Sequence, residues 1–75
     1  MTSPRPDAAA PKLTAREKYQ AARREWLYRT RVYPRLVEAG KMTPDKAARE
    51  LAAMAEIAAD YERTAETEEA KGRLI

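Results

Sequence analysis

Apolar side chains recur with the spacing of an α-helix along two segments of the chain. In the first segment, one narrow arc at about 100° per residue holds Ala15, Tyr19, Ala22, Trp26, Thr30, Tyr33 and Val37. A second apolar arc lies beside it and holds Ala21, Tyr28, Val32 and Leu36. A helix in a plain hairpin needs only one such stripe. We therefore expect the first helix to pack on two partners, one within the chain and one in a second chain.

The second segment carries a single stripe that advances in alternating steps of four and three residues. Its members are Ala47, Leu51, Met54, Ala58, Tyr61 and Ala65, with Ile57 on the flank. This is a short heptad-like seam, and its alanines allow another helix to approach closely. The apolar signal fades after Thr64. We predict a second helix over about residues 44–68 and a frayed C-terminus over residues 71–75.

The ends of the first helix follow from local chemistry. Thr14 and Glu17 have the spacing of a capping box, so the helix is predicted to begin at residue 15 and to run to about residue 39. Pro34 removes one backbone hydrogen bond, and its ring crowds the carbonyl of Thr30. Because the apolar spacing continues past Pro34 without a change of phase, a kinked continuous helix is favoured. The alternative is a break, with a short helix restarting at Pro34.

The connection between the helices reads as a helical corner. Gly40 can adopt the left-handed conformation that ends a helix, because it has no Cβ. Thr43 can cap the next helix, and Pro44 suits the first helical position, where its missing N–H costs nothing. The predicted fold is therefore all-α, an antiparallel two-helix hairpin over residues 14–70. Residues 1–13, which include Pro4, Pro6 and Pro11, are predicted to form a disordered arm.

The small size of the hairpin adds a reason to expect a dimer. A core of this size rarely contributes more than about 3–5 kcal/mol unaided. The chain has no cysteine, so a disulfide cannot supplement it. Oligomerisation is the remaining route, and we expect two hairpins to pair into a four-helix bundle.

Charge is distributed unevenly along the chain. The net charge of +3 combines a net +6 over residues 1–41 with a net −3 over residues 42–75. A basic face of the first helix carries Arg16, Arg23, Arg24, Arg31 and Arg35. One interpretation is a strip that contacts the phosphates of a nucleic acid. The favoured interpretation is a solvated face, neutralised in part by the acidic second helix or by a protein partner.

The residue types needed for several classes of chemistry are absent. Without His or Cys, a zinc site is not expected and the triads of nucleophilic catalysis are excluded. Glu66, Glu68 and Glu69 lie at a predicted helix end that offers no cleft to shift their pKa values. We expect no enzyme activity, cofactor or metal. No apolar run approaches the roughly 18 residues of a membrane span, so no membrane association is expected.

Four of the five aromatic residues lie on the first helix. Trp, Tyr and Arg are the residue types over-represented at binding hot spots. The alternative is that the aromatic residues form the core of a small protein without Phe. The candidate partner-binding residues are Tyr28, Val32, Leu36 and Trp26.

Two resemblances meet at the corner. The stretch from Leu36 to Thr43 is similar to the corner of the short oligomerisation modules called SHOCT domains. The longer pattern of Arg31–Val37, Gly40–Thr43 and Ile57–Tyr61 resembles a family of small helical-hairpin proteins of tailed phages and prophages. This resemblance implies a bacterial cytoplasm and an accessory role, in which the protein binds and modulates, for example inhibits, a host or phage protein.

Overall fold

The computed structural model describes residues 12–73, which form two α-helices. The first helix, α1, spans Ala15–Glu38, and the second, α2, spans Pro44–Arg73. The helices pack against each other and run antiparallel, since Arg16 near the start of α1 contacts Glu69 near the end of α2. The described residues contain no strand. The prediction of an all-α hairpin is confirmed.

The start of α1 is the predicted capping box. The Thr14 hydroxyl accepts a hydrogen bond from the Glu17 N–H at 3.1 Å, and the Glu17 carboxylate accepts one from the Thr14 N–H at 3.0 Å. The Thr14 N–H and the Thr14 hydroxyl both donate to the Glu17 carboxylate, which stabilises its charged form and lowers the pKa of Glu17. The helix continues through Pro34 to Glu38, so the alternative of a break at Pro34 is wrong. Of the predicted N-terminal arm, residues 1–11 lie outside the described residues.

The corner closes through backbone hydrogen bonds. Gly40 has a φ of +72°. The Lys41 N–H donates to the Leu36 carbonyl at 2.8 Å, and the Gly40 N–H donates to the Val37 carbonyl at 3.0 Å. This pair of bonds is the Schellman motif, which occupies carbonyls that the helix end leaves without partners.

The start of α2 also has its predicted cap. The Thr43 hydroxyl accepts a hydrogen bond from the Lys46 N–H at 3.2 Å, and Pro44 is the first helical residue. The Ala47 N–H donates to the Thr43 carbonyl at 3.0 Å, so the first backbone N–H groups of α2 find partners within a few residues of the turn. The predicted helix terminator and the predicted cap are both confirmed.

The predicted end of α2 is wrong. The helix continues five residues past residue 68, and Lys71, Gly72 and Arg73 are helical rather than frayed. Near this end of α2, the carboxylates of Glu68 and Glu69 accept hydrogen bonds from the first turn of α1. These tertiary contacts hold the helix end in place where the apolar signal is weak. The predicted frayed residues 74 and 75 lie outside the described residues.

The interface between the helices is built from alanine. The buried residues of the described chain are Ala15, Ala22, Ala47, Ala58 and Ala65. Leu51 and Met54 of the predicted seam are only half-buried. Tyr61, placed in the same seam by its spacing, is 37% exposed and lies on the flank of α2, where Lys18 covers its ring. Closely approaching helices leave no room for a phenol ring between them, so this part of the prediction is wrong.

Candidate functional site

The hairpin has two broad faces, one on each side of the plane that contains the helix axes. We name the first the Ile57 face. On this face the Lys18 ammonium lies 5.9 Å from the centre of the Tyr61 ring, and Arg29 contacts Glu50 at 3.3 Å. Ile57 lies one helical turn before Tyr61 and therefore on the same side of α2.

The Ile57 face carries most of the candidate partner-binding residues. Tyr28, Val32 and Leu36 follow one another at intervals of four residues along α1, on the flank that turns toward this face. Tyr28 is 49% exposed and Ile57 is 43% exposed. Val32 and Leu36 are half-buried. Large apolar side chains from both helices thus remain in contact with solvent on one side of the molecule.

Arg29 joins the two helices at the middle of the Ile57 face. Its guanidinium donates to the Glu25 carboxylate at 2.9 Å and to the Glu50 carboxylate at 3.3 Å. The same group lies 5.8 Å from the centre of the Tyr33 ring. The hydrogen bond that Arg29 donates to the Glu25 carboxylate raises the pKa of Arg29 above its ordinary value. Sequence reasoning did not single out Arg29; its spacing of four residues from Glu25 was the available signal.

The opposite side of the hairpin is named the Trp26 face. Here a shallow groove of about 190 Å³ lies between the helices, with Trp26 at one wall. The other lining residues are Tyr19, Arg23, Ala55, Ala58, Ala59 and Glu62. Trp26 is half-buried in this groove, and Leu27 beside it is 42% exposed. Trp26 therefore does not share a surface with Tyr28, Val32 and Leu36.

The five arginines of the predicted basic face do not form one strip. Arg16 makes two hydrogen bonds of 2.9 Å to the Glu69 carboxylate and covers the Tyr19 ring at 5.4 Å. Arg23 lines the Trp26 groove. Arg24, Arg31 and Arg35 are exposed on the ridge of α1 that points away from α2, and within residues 12–73 none of them forms an ion pair.

The acidic end of α2 has a structural role that sequence reasoning missed. The hydrogen bonds between Glu69 and Arg16 lower the pKa of Glu69 and raise that of Arg16. The Glu68 carboxylate accepts a long hydrogen bond of 3.4 Å from the Ala15 N–H. Carboxylates are favoured at a helix N-terminus, where backbone N–H groups are free and the helix dipole is positive. The acidic run opposite a capped helix start was the available signal.

Two kinds of site are not found in the part of the chain that the structure describes. Between residues 12 and 73 no group of acidic side chains could hold a metal ion. Neither of the two described helices is long and apolar enough to cross a membrane.

These observations define a small all-α hairpin with an alanine interface and two faces that carry exposed apolar side chains. Comparison of the chain with protein-family models, with curated proteins and with solved structures finds no match. The resemblances to phage hairpin proteins and to SHOCT domains stay predictions. The functional argument accordingly uses the chain's own contacts, exposure and charges.

Proposed function

We propose that this protein is a non-enzymatic protein–protein interaction module that associates with a second copy of itself into a four-helix bundle. The observation that carries the proposal is the composition of the core. Within the described hairpin only alanines are buried, whereas Tyr28, Ile57 and Tyr61 remain substantially exposed. Within residues 12–73, several of the side chains that provide the largest hydrophobic free energy on burial therefore keep much of their surface in solvent.

The energetic argument compares what is buried with what is exposed. Burying a large apolar side chain contributes about 1.5–3 kcal/mol relative to leaving it exposed, whereas an alanine contributes much less. The hairpin is held by five buried alanines, by half-buried larger side chains such as Leu51, Met54 and Trp26, and by a few partly exposed ion pairs. A core of this size is marginal on its own. Covering the exposed apolar faces with another protein surface supplies the missing stabilisation.

The proposed biological role extends this module to a second kind of partner. The resemblance to phage hairpin proteins suggests a bacterial cytoplasm and an accessory protein that binds and modulates a host or phage protein. Tyr28 is the candidate anchor, because exposed tyrosines are over-represented among residues that dominate binding energy. Val32, Leu36 and, on the other face, Trp26 complete the candidate set.

Self-association is tested by sedimentation at micromolar concentration. We expect a mass about twice the 8.5 kDa of one chain, and a melting temperature that rises with protein concentration. A well-folded monomer whose melting temperature is independent of concentration would contradict the proposed dimer.

Binding of a different protein is tested by affinity capture from a nuclease-treated bacterial lysate. The comparison uses the wild-type chain, Tyr28→Ala and the control Glu56→Ala, which changes an exposed residue of α2. We expect bound protein that is lost with Tyr28→Ala and kept with Glu56→Ala. Equal capture by all three chains would remove Tyr28 as an anchor, and capture of nucleic acid alone would favour the alternative function.

The alternative function is that of a nucleic-acid-binding accessory protein. This alternative is favoured by three exposed arginines on one ridge of α1, which form no ion pair within residues 12–73: Arg24, Arg31 and Arg35. Such a ridge can neutralise phosphates and release their counterions. Arg16 and Arg23 are turned toward α2 and contribute less to this surface, which makes nucleic acid the second choice.

A further inference from the structure

We infer that the second copy covers the Ile57 face, with α1 of each copy packed on α2 of the other. The inference rests on the self-association proposed above and adds the face and the arrangement of the helices. In this arrangement the twofold axis runs parallel to the helices, between the two hairpins. The two copies of α1 then occupy diagonal corners of the bundle.

The choice of face follows from the distribution of exposed apolar side chains. Tyr28, Ile57 and Tyr61 are each at least 37% exposed. They come from both helices, and helical spacing places all three on the Ile57 side of the hairpin. On the Trp26 face α1 contributes the comparably exposed Leu27, and α2 contributes alanines to the groove there. A second copy on the Ile57 face therefore buries more apolar surface.

The choice of helix pairing follows from charge. Helix α1 carries seven basic and three acidic side chains, a net charge of +4, whereas α2 carries five basic and eight acidic side chains, a net charge of −3. Packing α1 on α2 of the second copy places helices of opposite charge side by side. Packing α1 on α1 would place two strongly basic helices together, which is unfavourable.

The register within one hairpin determines which residues meet across the dimer. On the Ile57 face the contacts between Lys18 and Tyr61, and between Arg29 and Glu50, agree on one register, which we use for this face. Arg16 and Glu69, at the open end of the hairpin, pair through long side chains across a larger axial offset. The twofold rotation that relates the two copies runs about an axis parallel to the helices, so it leaves the position of each residue along that axis unchanged. Counting from these contacts, Ala21 of one copy lies opposite Ile57 of the other, and Tyr28 lies opposite Ala53, each within two residues or about 3 Å.

These opposing positions match in size. A large side chain meets an alanine in both cases, as interdigitating layers of a packed core require.

The area available on the Ile57 face is also large enough for a stable dimer interface. A face of two helices about 36 Å long and about 20 Å wide covers roughly 700 Å², close to the roughly 800 Å² per partner of a standard interface.

Disulfide trapping tests the arrangement, and the chain is suited to it because it contains no cysteine. Single-cysteine variants Ala21→Cys and Ile57→Cys are mixed under reducing conditions to allow subunit exchange and are then oxidised. We expect a disulfide-linked dimer in the mixture and little in either variant alone. The pair Tyr28→Cys and Ala53→Cys is expected to behave in the same way. Cross-linking requires Cα atoms within about 7 Å, which diagonal helices do not reach.

A control pair reports on the other face. Leu27→Cys and Ala52→Cys lie at matching heights on the Trp26 face and are expected not to cross-link. Efficient cross-linking of this pair would show that the two copies meet through the Trp26 face, and would overturn the choice of the Ile57 face. Disulfide-linked dimers formed by Ala21→Cys alone or by Tyr28→Cys alone would mean that α1 packs on α1. A dimer by sedimentation without any of the expected cross-links would overturn the arrangement, whereas a folded monomer would overturn the proposed self-association itself.

Discussion

Gly40 and Gly72 are the two glycines of the chain, and their backbone conformations differ. Gly40 has a positive φ of +72° at the corner, whereas Gly72 lies within α2. Among the residues that the structure describes, no neighbouring atom lies within 4 Å of where a Cβ would be at either position. The same substitution at the two sites therefore isolates the effect of backbone conformation from that of steric contact.

Substitution of the two glycines is expected to have opposite effects on stability. Gly40→Ala should lower the free energy of unfolding by about 1 kcal/mol, and Gly40→Val by about 1–2 kcal/mol, because L-residues are disfavoured in left-handed geometry. Gly72→Ala should raise it by about 0.5–1 kcal/mol, since alanine is the better helix former. Chemical denaturation measures all three. Unchanged stability of both Gly40 variants would show that Gly40 does not terminate α1.

The ion pair between Arg16 and Glu69 makes the stability of the hairpin depend on pH. Because the pKa of Glu69 is lowered from 4.5 in the folded chain, its contribution is present above pH 4.5 and is lost as the pH falls toward the lowered value. Glu69→Gln should therefore lower the melting temperature near pH 7, with the difference from wild type shrinking below pH 4.5. The control Glu66→Gln changes an exposed neighbour and should show little difference at any pH. A pH-independent effect of Glu69→Gln would contradict an ionic origin.

At the scale of the helices, the close contact of α1 and α2 depends on small side chains. Ala65 is completely buried, and Ala15 and Ala22 are buried on the facing helix. Tyr61 and Ile57 lie on the flank of this alanine interface, and Leu51 and Met54 are only half-buried beside it. A larger residue within the interface has to push the helices apart or leave its preferred rotamer.

The alanine interface leads to a prediction for α2. Ala65→Leu should destabilise the hairpin by about 1–3 kcal/mol, because overpacking strains a closely packed site. Ala70→Leu makes the same change at an exposed position of the same helix and should stay within about 0.5 kcal/mol of wild type. Thermal and chemical unfolding compare the two. A neutral or stabilising effect of Ala65→Leu would mean that the helices are free to move apart.

At the scale of the molecule, the arginine ridge of α1 separates the two candidate functions. For a protein partner, Arg24→Ala/Arg31→Ala should alter mainly the association rate, because exposed charges steer the encounter. The control Arg49→Ala/Arg73→Ala removes the same charge from α2 and should behave similarly. We expect this outcome.

The contrary outcome would be seen in nucleic-acid binding. Each phosphate contact on duplex DNA contributes about −0.9 to the slope of log affinity against log salt. Micromolar duplex binding at about 150 mM salt, with a slope that the Arg24/Arg31 variant flattens by nearly two units and the control does not, would establish the alternative function.

Several features were predictable because they depend on neighbours in sequence. The capping box of Thr14 and Glu17, the left-handed Gly40 and the cap at Thr43 each satisfy backbone groups within a few residues. The two apolar arcs of α1 likewise follow from helical spacing alone. For these reasons the sequence by itself determined the fold class, the helix starts and the corner between the helices.

Tertiary structure decided what spacing alone leaves open, namely how each helix is rotated and shifted against the other. That rotation turns Tyr61 to the flank, separates Trp26 from Tyr28, and divides the arginines between ion pairs and an exposed ridge. The axial shift brings Glu69 beside Arg16 and thereby extends α2 beyond its apolar pattern. Burial and ion pairing are properties of two surfaces in contact, so they became definite only when α1 and α2 were packed together.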